Sequence, residues 1–187
     1  MRLFVSVDLD DDLADAVAAA QEPLRETPGL SLTDPGQAHL TLKFLGEVSS
    51  SDLSTAEAAL REGVDAAGVD PFEMTVEGFG VFPALDYIQV VWLGVPRGGG
   101  ATELTTLHEG VESTFVDAGF DPADHDFTPH VTVARMDHAG GKEHVQEVVR
   151  EGDPTVGTMR VEEVRLKESV RDGDGPTYET VARARLD

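Results

Sequence analysis

Apolar and polar positions along this chain alternate with two different periods, and the changeovers fall at recognisable punctuation. Leu3-Phe4-Val5-Ser6-Val7 reads as a short strand, after which Leu13, Ala16, Val17, Ala20 and Leu24 recur at helical spacing across residues 11–25. Pro28-Gly29 and Asp34-Pro35-Gly36 mark the loops that follow. From His39 to Leu45 the pattern alternates, with His39, Thr41 and Lys43 on one face and Leu40, Leu42 and Phe44 on the other, until Gly46 ends it. Ser49-Ser50-Ser51-Asp52 reads as a loop and cap, and Asp52 opens a helix reaching about Ala67. Residues 72–76 predict a strand, and Gly78-Phe79-Gly80-Val81-Phe82-Pro83 a loop rich in glycine and aromatics.

The second half repeats the scheme. Residues 87–93 predict a strand, and Leu104, Leu107, Val111 and Phe115 form the apolar stripe of a helix over 102–118. A loop at 121–126 leads to Pro129 and a second alternating strand, His130-Val131-Thr132-Val133-Ala134, with His130 and Thr132 on one face. A short helix over 142–150 and strands over 159–166 and 178–185 complete the chain, and Arg97-Gly98-Gly99-Gly100 reads as its most flexible loop tip. A strand, a helix and a strand carrying His-x-Thr-x therefore occur twice, too far apart for a solenoid repeat. With no linker or low-complexity stretch between the halves, 187 residues predict one domain of two similar, interleaved lobes.

Composition narrows the chemistry. The absence of Cys removes disulfides, thiolate metal sites and a Cys nucleophile. No apolar run approaches the ~20 residues of a membrane span, and the N-terminus has no signal-peptide pattern, so a soluble cytoplasmic protein is expected. Acidic residues number 36 against 14 basic ones, giving a net charge of −22, and only Lys43, Lys142 and Lys167 are lysines. Such a charge argues at first against a nucleic-acid partner. Acid dispersed along the chain with few lysines also suits molar salt, where the Debye length is only ~3 Å, and a halophile's cytoplasm is the expected setting.

The two His-x-Thr strands carry the functional signal. If both are central, their polar faces line a cleft where two imidazoles and two hydroxyls converge. That set suits attack on a phosphodiester: a neutral His takes a proton from the nucleophile, a protonated His gives one to the leaving oxygen, and the hydroxyls hold the non-bridging oxygens. His suits both roles because its ordinary pKa of ~6.5 populates both forms near neutrality.

His39-Leu40-Thr41-Leu42-Lys43-Phe44-Leu45-Gly46-Glu47 and Phe127-Thr128-Pro129-His130-Val131-Thr132-Val133-Ala134-Arg135 resemble the two signature motifs of the two-histidine phosphoesterases, most closely the RNA 2′,3′-cyclic phosphodiesterases, also called RNA 2′–5′ ligase-like proteins. Met1-Arg2-Leu3-Phe4-Val5, Gly78 to Pro83, Val90 to Gly94, Leu166 to Ser169 and Gly175 to Glu179 extend the resemblance along the chain. It implies a bilobal, pseudo-two-fold α+β fold, with two antiparallel-rich sheets flanking a central cleft and helices outside. It also implies hydrolysis of a 2′,3′-cyclic phosphate on RNA to a 2′-phosphomonoester, without a metal or other cofactor. By the same resemblance His39 is the proton donor, His130 the acceptor, and Thr41 and Thr132 grip the phosphate.

Arg135 resembles a phosphate-binding residue of that family, but strict alternation puts it on the face opposite His130, so a bulge or strand end is required. Lys43 shares the face of His39 and either adds positive potential or makes a rim ion pair. Phe44 and Phe82 are candidates to stack on a base, with a place in the core as the alternative. His108, His125, His138 and His144 show no metal-ligand spacing, and no phosphate loop or nucleophile elbow is present. The rival activities are ligation of tRNA halves through a 2′–5′ bond, the reverse reaction, and hydrolysis of a small cyclic nucleotide. A non-catalytic RNA-end binding module stands further off, since binding alone needs no matched acid and base. The expected partner is an RNA end, with the protein acting as a monomer.

Overall fold

The computed structural model describes residues 1–173 and 175–187. Its strands are β1 (Arg2–Asp8), β2 (Leu30–Leu32), β3 (His39–Glu47), β4 (Phe72–Ala84), β5 (Tyr87–Gly94), β6 (His130–Met136), β7 (Thr155–Val161), β8 (Glu163–Asp172) and β9 (Gly175–Arg185). The helices are α1 (Ala14–Gln21), α2 (Leu53–Ala67), α3 (Ala101–Asp117) and α4 (Lys142–Glu151). Hydrogen bonding runs in the order β7-β4-β5-β6-β3-β1-β8-β9, with β2 added alongside β6. Among the described residues every pair is antiparallel, and the two four-stranded halves meet through one register pair, Leu40 with Val131.

The pattern of burial explains this arrangement. Leu3, Val5 and Val7 on β1, Leu40 on β3, Val131 on β6 and Leu166 on β8 are essentially inaccessible, and all belong to one hydrophobic core. The helices cover that side: α2 and α3 lie over the β3–β1–β8–β9 half, α1 and α4 over the β7–β4–β5–β6 half. Gly63 and Gly110 let α2 and α3 cross closely; a Cβ on Gly110 would come 2.7 Å from the Gly63 carbonyl oxygen. The opposite, concave face is left to polar and aromatic side chains. The expected α+β fold with outer helices is the fold observed, with the two expected antiparallel sheets joined as halves of one sheet through Leu40 and Val131.

Four local expectations are corrected. Residues 78–83 are strand, not loop. β4 pairs with β7 up to Glu77 and with β5 from there on, and the register shift between Glu77 and Phe79, with Gly78 at φ +76°, is the bulge that turns it from one partner to the other. Residues 159–166 are two strands rather than one, because β7 belongs beside β4 and β8 beside β1, and the chain crosses between halves at Glu162. The glycine run after Arg97 is pinned: the Gly99 N–H donates to Pro96 at 2.9 Å, the Thr75 N–H donates to the Gly99 carbonyl at 2.8 Å, and Gly100 is buried at the start of α3. β2 was not expected; it is only three residues long.

Candidate active site

β3 and β6 carry the same backbone irregularity at the same place. Val5 is opposite Lys43 and Ser6 opposite Thr41, leaving Leu42 as an extra residue in β3. Val91 is opposite Ala134 and Trp92 opposite Thr132, leaving Val133 extra in β6. A bulge of this kind shifts the side-chain alternation by one. Beyond it Lys43 and Ala134 turn into the core, while Phe44 and Arg135 turn out onto the concave face with the histidines.

The extra residues are held from behind by helix side chains. The carbonyl of Leu42 accepts from His108 Nδ1 at 2.8 Å, and that of Val133 accepts from Gln21 Nε2 at 3.0 Å. Neither His108 nor Gln21 was singled out from the sequence as serving the site, and a buried Gln on the apolar stripe of α1 was the one available sign.

The expectation for Lys43 is therefore corrected. It is neither in the cleft nor on its rim: its ammonium is buried, donating to Glu112 Oε2 at 2.7 Å on α3 and to the Asp121 carbonyl at 2.9 Å. Phe44, which alternation set on the face of Leu40 and Leu42, turns the other way: it is 62% exposed on the concave face, not in the core. Arg135 reaches the face that strict alternation denied it, by the bulge it required.

Both histidines are oriented alike. His39 Nδ1 lies 3.0 Å from the Gln37 carbonyl, and His130 Nδ1 lies 2.7 Å from the Thr128 carbonyl. A carbonyl only accepts, so each Nδ1 carries hydrogen and each Nε2 is left for chemistry. The pair Leu40–Val131 sits between them with its side chains in the core. On that register His39 stands toward Thr132 and Thr41 toward His130, on the other face. Aromatic walls complete the setting: Phe4 and Tyr178 lie 5.0 and 4.9 Å from the His39 ring, Phe82 and Trp92 lie 4.9 and 5.9 Å from that of His130. Phe82 thus supports His130 as a half-buried edge-on ring.

Electrostatics separate the two. Burial pushes the His39 imidazole below its ordinary pKa; the Gln37 carbonyl and the Asp8 carboxylate act against that, while Lys167 and Arg135 add to it. Burial lowers His130 as well, opposed only by the Thr128 carbonyl and reinforced by Arg135 and His125. Arg135 therefore acts on both rings. Asp8, opposite His39 in register, is held by Ser6 Oγ at 2.8 Å, by Arg165 at 3.0 Å and by Lys167. Asp8 went unnoticed in the sequence because it sits among many other acids.

Residues 9–173 match the family described as the 2′-5′ RNA ligase superfamily. A protein of Methanothermobacter thermautotrophicus named RNA 2′,3′-cyclic phosphodiesterase is 36% identical over 188 residues, covering 100% of this chain and 99% of that protein. One of the same name from Archaeoglobus fulgidus is 36% identical over 179 residues, covering 95% of this chain and 96% of its own. The crystal structure of a Thermus thermophilus protein, TT0787, has a TM-score of 0.81 at 27% identity, covering 100% of this chain and 98% of that one. The fold, the paired histidine strands and these relatives lead to one conclusion: the chain belongs to the 2′-5′ RNA ligase superfamily of two-histidine phosphoesterases.

Proposed function

We propose that this protein hydrolyses the 2′,3′-cyclic phosphodiester at an RNA end to a 2′-phosphomonoester, with His39 as proton donor and His130 as proton acceptor. The observation that carries the reading is the pair of imidazoles on adjoining strands, each with Nδ1 committed to a backbone carbonyl and with Arg135 acting on both. Neutral His130 takes a proton from water through Nε2 as the water oxygen bonds to phosphorus. The P–O3′ bond breaks on the opposite side, and the His39 imidazolium gives its Nε2 proton to O3′. The ring protons then re-equilibrate with solvent. Thr41, Thr132 and Arg135 hold the non-bridging oxygens as charge builds on them.

One difference between the neighbours supports this division of roles: Asp8 favours the charged form of His39 against burial, Lys167 and Arg135, whereas no carboxylate acts in that way on His130 among the described residues. Phe44, exposed beside Phe4 at a ring distance of 6.3 Å, is placed to stack on the terminal base. In this reading the protein acts as a cytoplasmic monomer, and the cyclic end of a tRNA half is one RNA end it would hydrolyse.

The test is incubation with an RNA ending in a 2′,3′-cyclic phosphate, in the presence of EDTA. A 2′-phosphate product is expected, and His39→Ala or His130→Ala should each lower kcat by about 10²- to 10⁴-fold. A 3′-phosphate product, or full activity in either variant, overturns the scheme.

A further inference from the structure

The chemistry above uses the centre of the concave face and leaves its β8–β9 side unassigned. β8 places Lys167 and Arg165 there; β9, with Arg183 opposite Arg165 and Arg185 opposite Glu163, adds two more cations. Ala184 and Leu186 are buried on the other face, which sets Arg183 and Arg185 outward, and both are exposed. Four of the 14 Lys and Arg in a chain of net charge −22 are therefore gathered on one face of one hairpin. Asp8 and Glu163 are already engaged by Lys167 and Arg165, and among the described residues Arg183 and Arg185 form no ion pair.

This basic face is continuous with the catalytic centre. Tyr178, which packs against the His39 ring, also borders a cavity of about 400 Å³ together with Gln37, Asp8, Lys167, Arg165 and Thr180. Asp10 and Asp11 line the same cavity and repel a polyanion, leaving β8 and β9 as its favourable side. Along β9 the seven steps from Tyr178 to Arg185 cover roughly 23 Å at about 3.3 Å each. A nucleotide held at His39 does not reach that far.

We propose that the β8–β9 face is the track for single-stranded RNA lying 5′ of the cyclic end, with Arg183 and Arg185 taking backbone phosphates. The assignment rests on the hydrolytic reading and extends it, because it makes an RNA chain rather than a cyclic mononucleotide the preferred substrate. Guanidinium groups suit the role: they stay charged, and their fork matches phosphate oxygens. Contacts of this kind position the strand without reading its sequence.

The experiment compares the native protein with Arg183→Gln/Arg185→Gln on two substrates, a ten-nucleotide RNA ending in a 2′,3′-cyclic phosphate and 2′,3′-cyclic AMP, across a salt series. Two phosphate contacts on a single strand account for a slope of about −1.4 in log(kcat/KM) against log[salt]. The ratio of kcat/KM for RNA to that for cyclic AMP should therefore fall about 25-fold at a tenth of molar salt and recover toward 1 M. An unchanged ratio, or equal loss on both substrates, overturns the track while leaving the hydrolytic reading intact. Should the native protein hydrolyse neither substrate, that reading fails instead. Fluorescence anisotropy of the labelled RNA then still tests the track: weaker binding with a shallower salt slope in the double variant supports it, and identical binding refutes it.

Discussion

Replacing Lys43 by Met tests whether the cation beside the first histidine motif is a structural tie. Its side chain is 1% exposed, and its partner Glu112 is 21% exposed. Removing one member of a buried pair costs about 3–5 kcal/mol, because the remaining charge loses its compensation. Glu112 keeps one further donor, the Ala123 N–H at 2.7 Å, and some contact with water, which brings the expected cost to about 2–3 kcal/mol. In a chain of 187 residues that corresponds to a fall in Tm of roughly 5–10 °C. Lys43→Met/Glu112→Leu should recover most of the loss, since apolar groups then replace both charges. Urea unfolding at pH 7 of the native protein, both single variants and the double variant gives the coupling directly. Burial raises the Glu112 carboxyl, but Lys43 and the Ala123 N–H outweigh it and hold it below the usual carboxylate range. The native pair therefore contributes stability above the ordinary Glu value of ~4.3 that is lost as pH falls through the lower folded value, and this slope should flatten in Lys43→Met. A cost under ~1 kcal/mol for Lys43→Met would refute the reasoning, being the value of an exposed ion pair.

The remaining expectations concern acid, packing and salt. Burial lowers both His39 and His130, so under the proposed roles the bell-shaped kcat/KM profile should centre below ~6.5 and lose one limb in each His→Ala variant that retains activity; a centre above 7 would contradict the electrostatics described. Because the folded values lie below the unfolded one, stability should fall as pH drops through ~6.5, and His39→Asn should reduce that loss in acid unfolding curves. Gly80→Ala would place a Cβ 2.2 Å from the Trp92 ring, forcing the indole away from Phe82 and His130. A cost of about 1–3 kcal/mol, a shifted Trp emission and a lower kcat are expected; an unshifted spectrum with full activity argues against this support. The charge of −22 predicts that Tm rises with KCl toward molar levels, and equal stability in ~0.05 M salt would remove the halophilic reading.

What the sequence made legible follows the strength of its periodicity. The stripe of Leu104, Leu107, Val111 and Phe115 declared α3, and all four side chains are fully buried. His39 and His130 stood out because polar residues alternated with buried Leu and Val on strands that prove central. The failures came where alternation slips by one residue. Met159 and Val161 share a parity, Val164 and Leu166 the other, and the slip falls at the crossing between β7 and β8. Leu42-Lys43 and Val133-Ala134 conceal the same event inside a strand. A cation at position 43 fits either face until its partner on α3 is known, and that partner lies 69 residues away. Arg183 and Arg185 were equally hidden, since their neighbours in space are set by pairing with β8.

The two histidine strands have one backbone and two sets of occupants, and the proposed roles give the difference a chemical reason. Their burial patterns agree residue by residue through the bulge, so position five beyond each histidine faces the cleft in both. One such position holds Arg135 and the other Phe44. A second arginine in place of Phe44 would set two guanidiniums beside the rings, and each cation favours neutral imidazole. His39 would then lose much of the protonated population that a proton donor requires, with Asp8 left to oppose both cations. An aromatic residue at that position avoids the penalty and offers a face to a base. The predicted outcome for Phe44→Arg is accordingly a loss larger than for Phe44→Ala, with the alkaline limb of the pH profile, which reports the proton donor, moved to lower pH. Equal losses with an unmoved limb would show that the asymmetry serves base stacking alone.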